Sequence, residues 1–168
     1  MKRIIFPTDF SDAARKASTA ALSLAEEQHA QLILLHAFTP PEVFAEAGTI
    51  YMEQQMQRLQ DDVDNRLGEW LADLQALAPA VDIIKRSAVG FPADVICDVA
   101  REEAAKMIVM GTQGASGLKR FLLGSVTARV IESASCPVLA IPQEYDAFRV
   151  ERIVYATNYR SAVKSLKH

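Results

Sequence analysis

The chain has 168 residues, of which 50% are hydrophobic and 23% charged, with a formal net charge of −3. This is the composition of a globular domain with one substantial core, plus a tail. It excludes the basic balance of a general nucleic-acid binder, and no apolar run approaches a membrane span.

The segment Met1-Lys2-Arg3-Ile4-Ile5-Phe6-Pro7 is too short in its apolar part for a secretory leader, and Asp9 and Asp12 follow at once. The cytoplasm is therefore the expected compartment, with no membrane insertion. Residues 3 to 8 predict a short buried strand. Thr8, Ser11 and Asp12 are all N-cap types, and a helix is expected from about 11 to 28. Ala13, Ala17, Ala20, Ala21 and Leu24 share one face of it, small enough to lie close to a sheet.

Residues 31 to 38 predict a second buried strand, ended by Pro40 and Pro41. A long helix follows from about 51 to 77. Met52, Met56, Leu59, Val63, Leu67, Trp70, Leu74 and Leu77 form its apolar stripe. A third strand over 81 to 88 carries charges, which places it near an edge. Gly90-Phe91-Pro92 turns the chain into a helix over 93 to 105, with Val95, Ile96, Val99 and Ala100 facing in. Residues 106 to 110 form a fourth strand, a helix runs from about 125 to 133, and 136 to 141 form the fifth strand.

The alternation of apolar strands and amphipathic helices predicts an α/β fold, an open parallel five-stranded sheet with helices on both faces. Right-handed crossovers are expected, with ligands beyond the carboxyl ends of the strands at the point where strand order reverses. Cys97 and Cys136 lie far apart in apolar runs with no CxxC spacing. They read as small buried hydrophobes, not as a disulfide or a zinc site.

The last residues contain an echo of the first. Glu151-Arg-Ile-Val-Tyr-Ala-Thr-Asn-Tyr-Arg-Ser-Ala-Val163 matches Lys2-Arg-Ile-Ile-Phe-Pro-Thr-Asp-Phe-Ser-Asp-Ala-Ala14 at Arg, Ile, Thr and Ala. The expected organisation is a domain over 1–142, a linker over 143–150, and over 151–168 the start of a truncated second repeat. A lone strand of this kind needs a sheet edge to pair with, in its own or a neighbouring chain.

The segment between the fourth strand and the last helix, Gly111-Thr-Gln-Gly-Ala-Ser-Gly-Leu-Lys-Arg-Phe-Leu-Leu-Gly-Ser125, is rich in glycine and carries Lys119 and Arg120. Backbone amides at the following helix N-terminus would suit an anion, and Ser125 and Thr127 stand where hydroxyls cap a helix or meet a phosphate. The segment is neither a Walker A loop nor Gly-x-Gly-x-x-Gly. On residue chemistry alone, a phosphate cradle and a mobile connection both stand.

Gly111-x2-Gly114-x9-Gly124-Ser125 resembles the ATP-binding signature of the universal stress protein family. The resemblance extends over about residues 2 to 142, through Pro7-Thr8-Asp9-Phe10-Ser11, Leu34-Leu35-His36-Ala37, Val89-Gly90-Phe91-Pro92-Ala93 with Ile96, Ile108-Val109-Met110-Gly111 and Cys136-Pro137-Val138-Leu139. It implies a flavodoxin-like or Rossmann-like sheet of strand order 3-2-1-4-5, commonly a homodimer, with tandem members in the family. Two positions depart from the pattern. Lys106 stands where Asp is frequent before the fourth strand, and Asn158 replaces the acid matching Asp9 in the tail repeat.

The same resemblance implies the site. Asp9 would contact ribose hydroxyls or a magnesium-bound phosphate, and Pro7 and Thr8 would shape the adenine pocket. Ala37 would offer its backbone to the adenine edge, and Met110 and Gly111 would line the base and ribose. Gly114, Gly124, Ser125 and Val126 would hold phosphates, with Lys119 and Arg120 either reaching them or solvated. His36 alternates away from Ala37 and reads as a satisfied core or helix-facing histidine, while His29 and His168 read as exposed. Arg101, Glu102 and Glu103 read as a solvated face.

No acid or histidine lies between Gly111 and Ser125, so a base for fast hydrolysis is missing there. The expected function is ATP binding (or ADP/AMP), with Mg2+ brought by the phosphates, in a regulatory protein with slow or no turnover and a signalling partner the sequence does not identify. The alternatives are a weak Mg-dependent ATPase or nucleotide hydrolase, and a nucleotide-independent dimerisation module.

Overall fold

The computed structural model describes residues 1–40, 49–112 and 123–143. The expected linker beyond Gln143 and the repeat over 151–168, with Asn158 and His168, lie outside them.

Five strands and four helices alternate: β1 (Arg3–Pro7), α1 (Asp12–Glu27), β2 (Gln31–Phe38), α2 (Thr49–Leu77), β3 (Ile83–Val89), α3 (Pro92–Glu102), β4 (Met107–Gly111), α4 (Ser125–Ser133) and β5 (Val138–Ile141). The strands form one sheet in the order β3-β2-β1-β4-β5, every pair parallel. This is the expected fold. The order reverses between β1 and β4, which leaves a crevice beyond their carboxyl ends.

Strand periodicity divides the core in two. Ile4, Phe6, Leu32, Leu34 and Val109 point to the face covered by α1 and α2. Ile5, Ile33, Leu35, Ile108 and Met110 point to the face covered by α3 and α4. The small face of α1 is buried throughout, at Ala13, Ala17, Ala20, Ala21 and Leu24. The stripe of α2 is buried at Val63, Leu67, Trp70 and Leu74 but not at its end, where Leu77 is 71% exposed. In α3, Ala93 and Cys97 are buried with Ile96, Val99 and Ala100, while Val95 is only partly covered.

At the charged end of α3, Arg101 and Glu102 are exposed as a solvated face, and Glu103 alone departs from that expectation. Glu103 pairs with Arg3 at 2.8 Å and with Arg86 at 3.0 Å, and Arg86 also meets Glu102. These contacts tie α3 to β1 and β3. Arg101 pairs within its own helix with Asp98. Cys97 is buried and Cys136 half-buried, and burial pushes both thiols up from their ordinary values. They behave as the small apolar groups expected of them.

Candidate functional site

The turn after β1 is fixed by its own polar groups. The Thr8 amide donates to the Leu35 carbonyl at 2.8 Å, which extends the pairing with β2 by one residue. The Thr8 hydroxyl accepts the Phe10 amide at 2.9 Å, and an Asp9 carboxylate oxygen accepts the Ser11 amide at 3.0 Å. Ser11 then caps α1 by accepting the Ala14 amide at 3.2 Å. Of the three candidate caps, Ser11 takes the role. Phe10 sits at φ 62°, a left-handed conformation that costs a side-chain-bearing residue free energy and needs such support.

On the other side of the crevice, the Thr112 amide donates to the Ile141 carbonyl at 2.9 Å. The Gly124 amide donates to the Thr112 carbonyl at 2.7 Å, so the chain returns to the end of β4 before α4 begins. Thr127 does not cap α4. Its buried hydroxyl donates to the Gly111 carbonyl at 3.0 Å and fastens the helix to β4. Gly124 is the N-cap of α4 and supplies no side-chain cap. The amides of the first helical turn have no partner within the helix, and the macrodipole adds positive potential there.

These elements enclose a cleft of about 210 Å3. Pro7, Thr8 and Asp9 enter it from β1, and Ala37 from β2. Met110 and Gly111 come from β4, and Gly124, Ser125 and Val126 from the start of α4. All nine were site expectations. Gly114, Lys119 and Arg120, the other three, lie outside the described residues. The cleft volume is below the roughly 300 Å3 at which ligand pockets commonly begin.

Four further residues line the cleft: Ala14, Pro92, Ile96 and Thr127. Pro92 occupies the first turn of α3, and Gly90 delivers it. Gly90 has φ 146°, and a Cβ there would stand 2.8 Å from a Val95 methyl. The Gly90-Phe91-Pro92 turn was the available signal for this wall. Asp9 is the one ionisable side chain among the described lining residues. No cluster of three or more His, Cys, Asp or Glu able to hold a metal occurs among the described residues.

His36 lies behind the cleft, on the opposite sheet face from Ala37. Its Nδ1 is 2.7 Å from the Thr8 carbonyl, so it is a satisfied histidine. Burial lowers its pKa below 6.5; Arg66 acts the same way, while the Thr8 carbonyl and Asp9 oppose the shift.

The model of the universal stress protein family matches residues 1–142. The chain belongs to the universal stress protein family. Among curated members, Universal stress protein MJ0531 of Methanocaldococcus jannaschii is 33% identical over 147 residues, covering 83% of this chain and 81% of that one. The solved structure of hypothetical protein MJ0577 superposes with a TM-score of 0.71 at 26% identity, covering 86% of this chain and 98% of that chain. A universal stress protein crystallised in complex with cAMP superposes with a TM-score of 0.64 at 27% identity, covering 84% and 97%.

Proposed function

We propose that this member of the family is an ATP-binding stress-response regulator that hydrolyses its ligand slowly or not at all. The observation that carries the reading is the composition of the cleft at the strand-order reversal. One wall is a helix N-terminus whose amides lack helical partners, the floor is apolar and small, and the opposite wall carries a single carboxylate, Asp9. That donor set fits an adenine nucleotide. Phosphates would take the amides of Ser125 and Val126, the base would lie over Met110 and Ala37, and Asp9 would accept from ribose hydroxyls or meet a magnesium-bound phosphate.

The cAMP complex of a 27% identical universal stress protein supports an adenine nucleotide as the ligand. The choice of ATP over ADP or AMP follows the Gly111-x2-Gly114-x9-Gly124-Ser125 signature. Mg2+ would arrive with the phosphates. Slow turnover follows from the lining: Asp9 already accepts the Ser11 amide, and the described lining residues offer no second acid or base to orient water. A cytoplasmic homodimer acting on a signalling partner, with residues 151–168 opening a second repeat, completes the proposal.

Thermal unfolding with and without Mg-ATP tests the binding. Ligand at about a hundredfold over its dissociation constant adds roughly 2.7 kcal/mol of apparent stability. A clear upward shift with phosphate release near background fits the reading. Steady Mg-dependent phosphate release would make the protein an ATPase, and no shift would leave a dimerisation module.

A further inference from the structure

The turn that carries Asp9 is held from behind by a residue that does not touch the cleft. The Thr8 carbonyl can only accept a hydrogen bond, so the 2.7 Å contact from His36 requires the proton on Nδ1. The His36 ring also packs against the Phe10 ring in a tilted contact, with centroids 4.5 Å apart. Phe10 in turn meets Trp70 at 5.8 Å and carries the Arg66 guanidinium 4.0 Å from its ring centroid. His36 therefore braces the turn at two consecutive levels, the carbonyl before Asp9 and the left-handed residue after it.

We infer that His36 is a positioning residue for the nucleotide site, acting through the Thr8 carbonyl and the Phe10 ring to set the place of the Asp9 carboxylate. The inference rests on the proposed nucleotide site. Its logic is geometric. The backbone around Asp9 is strained at Phe10, and such conformations persist only where neighbours over-determine them. Removing the brace leaves Asp9 chemically intact but frees the turn to relax, and the contact to a bound nucleotide is lost through misplacement.

The test is titration of the full chain with Mg-ATP by calorimetry, in the wild type, His36→Leu and His36→Asn. Asparagine Nδ2 stands the same number of bonds from the backbone as imidazole Nδ1, so His36→Asn keeps the donor while His36→Leu deletes it. The expected result is about tenfold weaker binding for His36→Leu, the factor that one net hydrogen bond corresponds to, and recovery to within about threefold for His36→Asn. Nitrogen-15 NMR of the wild-type ring is expected to show the Nδ1-protonated tautomer, a readout that stands even if His36→Leu fails to fold.

Wild-type affinity in His36→Leu, equal weakening in His36→Asn, or a ring protonated on Nε2 alone would each overturn the inference while leaving the site in place. A wild type that binds no adenine nucleotide would instead overturn the site reading, and the inference with it.

Discussion

The Gly124 amide donates to the Thr112 carbonyl at 2.7 Å, so the two ends of the glycine-rich segment meet at the mouth of the cleft. Gly124 has ordinary extended backbone angles, φ −59° and ψ 148°. A valine there meets no backbone penalty, yet its branched side chain stands beside the first amides of α4. Gly124→Val is expected to weaken Mg-ATP binding by more than about tenfold, 1.4 kcal/mol. The unfolding midpoint without ligand should change little. Calorimetry and thermal melts on the same preparation check both.

Asp9 has two separable jobs. Its carboxylate accepts the Ser11 amide, and it is the ionisable group of the described cleft lining. Asp9→Ala should cost about 1 kcal/mol of stability through the lost turn bond, and nucleotide affinity besides. Asp9→Asn keeps the acceptor oxygen, so its denaturant midpoint should stay near the wild type. Its affinity should fall between the other two, as titration of all three proteins would show.

The two ends of the α2 stripe should differ sharply. Leu67 is fully buried, and Leu67→Ala should destabilise by about 2–5 kcal/mol through lost burial and a cavity. Leu77 is 71% exposed, and Leu77→Ala should stay within about 0.5 kcal/mol. Urea unfolding of the two variants measures the contrast.

Most elements were legible because each strand is a short Ile-, Leu- or Val-rich run between turn residues. The strand order came from the resemblance to the family, since periodicity does not specify which strands pair. Helix ends were less legible. The expected helix to residue 105 stops at Glu102, where Ala104 turns left-handed at φ 46° and the Ala105 amide bonds to the Ala100 carbonyl. His29 ends α1 in the same way at φ 49°. Glycine normally marks this cap, and neither position has one. The ion pairs of Glu103 were invisible because Arg3 lies a hundred residues away. Nine cleft residues lie in the family motifs as expected site residues; Ile96 lies in one of them too, but its helix periodicity assigns it only to the core, and Ala14 reaches the cleft from a helix whose tilt no local pattern encodes.

His36 should make stability depend on pH. Burial holds its folded pKa below 6.5, reinforced by Arg66, so the unfolded chain takes up the proton more readily. Stability should therefore fall as pH drops through about 6.5, and this contribution should level off once pH lies below the folded pKa. His36→Asn cannot titrate and should lose this component. Urea unfolding of both proteins at about pH 7.5 and 5.5 measures it as a larger loss in the wild type.

The cleft between β1 and β4 is proposed to hold an intact adenine nucleotide. The most direct test is to denature freshly purified protein and identify what it releases by chromatography and mass. The expected release is ATP, undegraded and close to one per chain. Release of no nucleotide, from a protein whose melting point Mg-ATP does not raise, would contradict it.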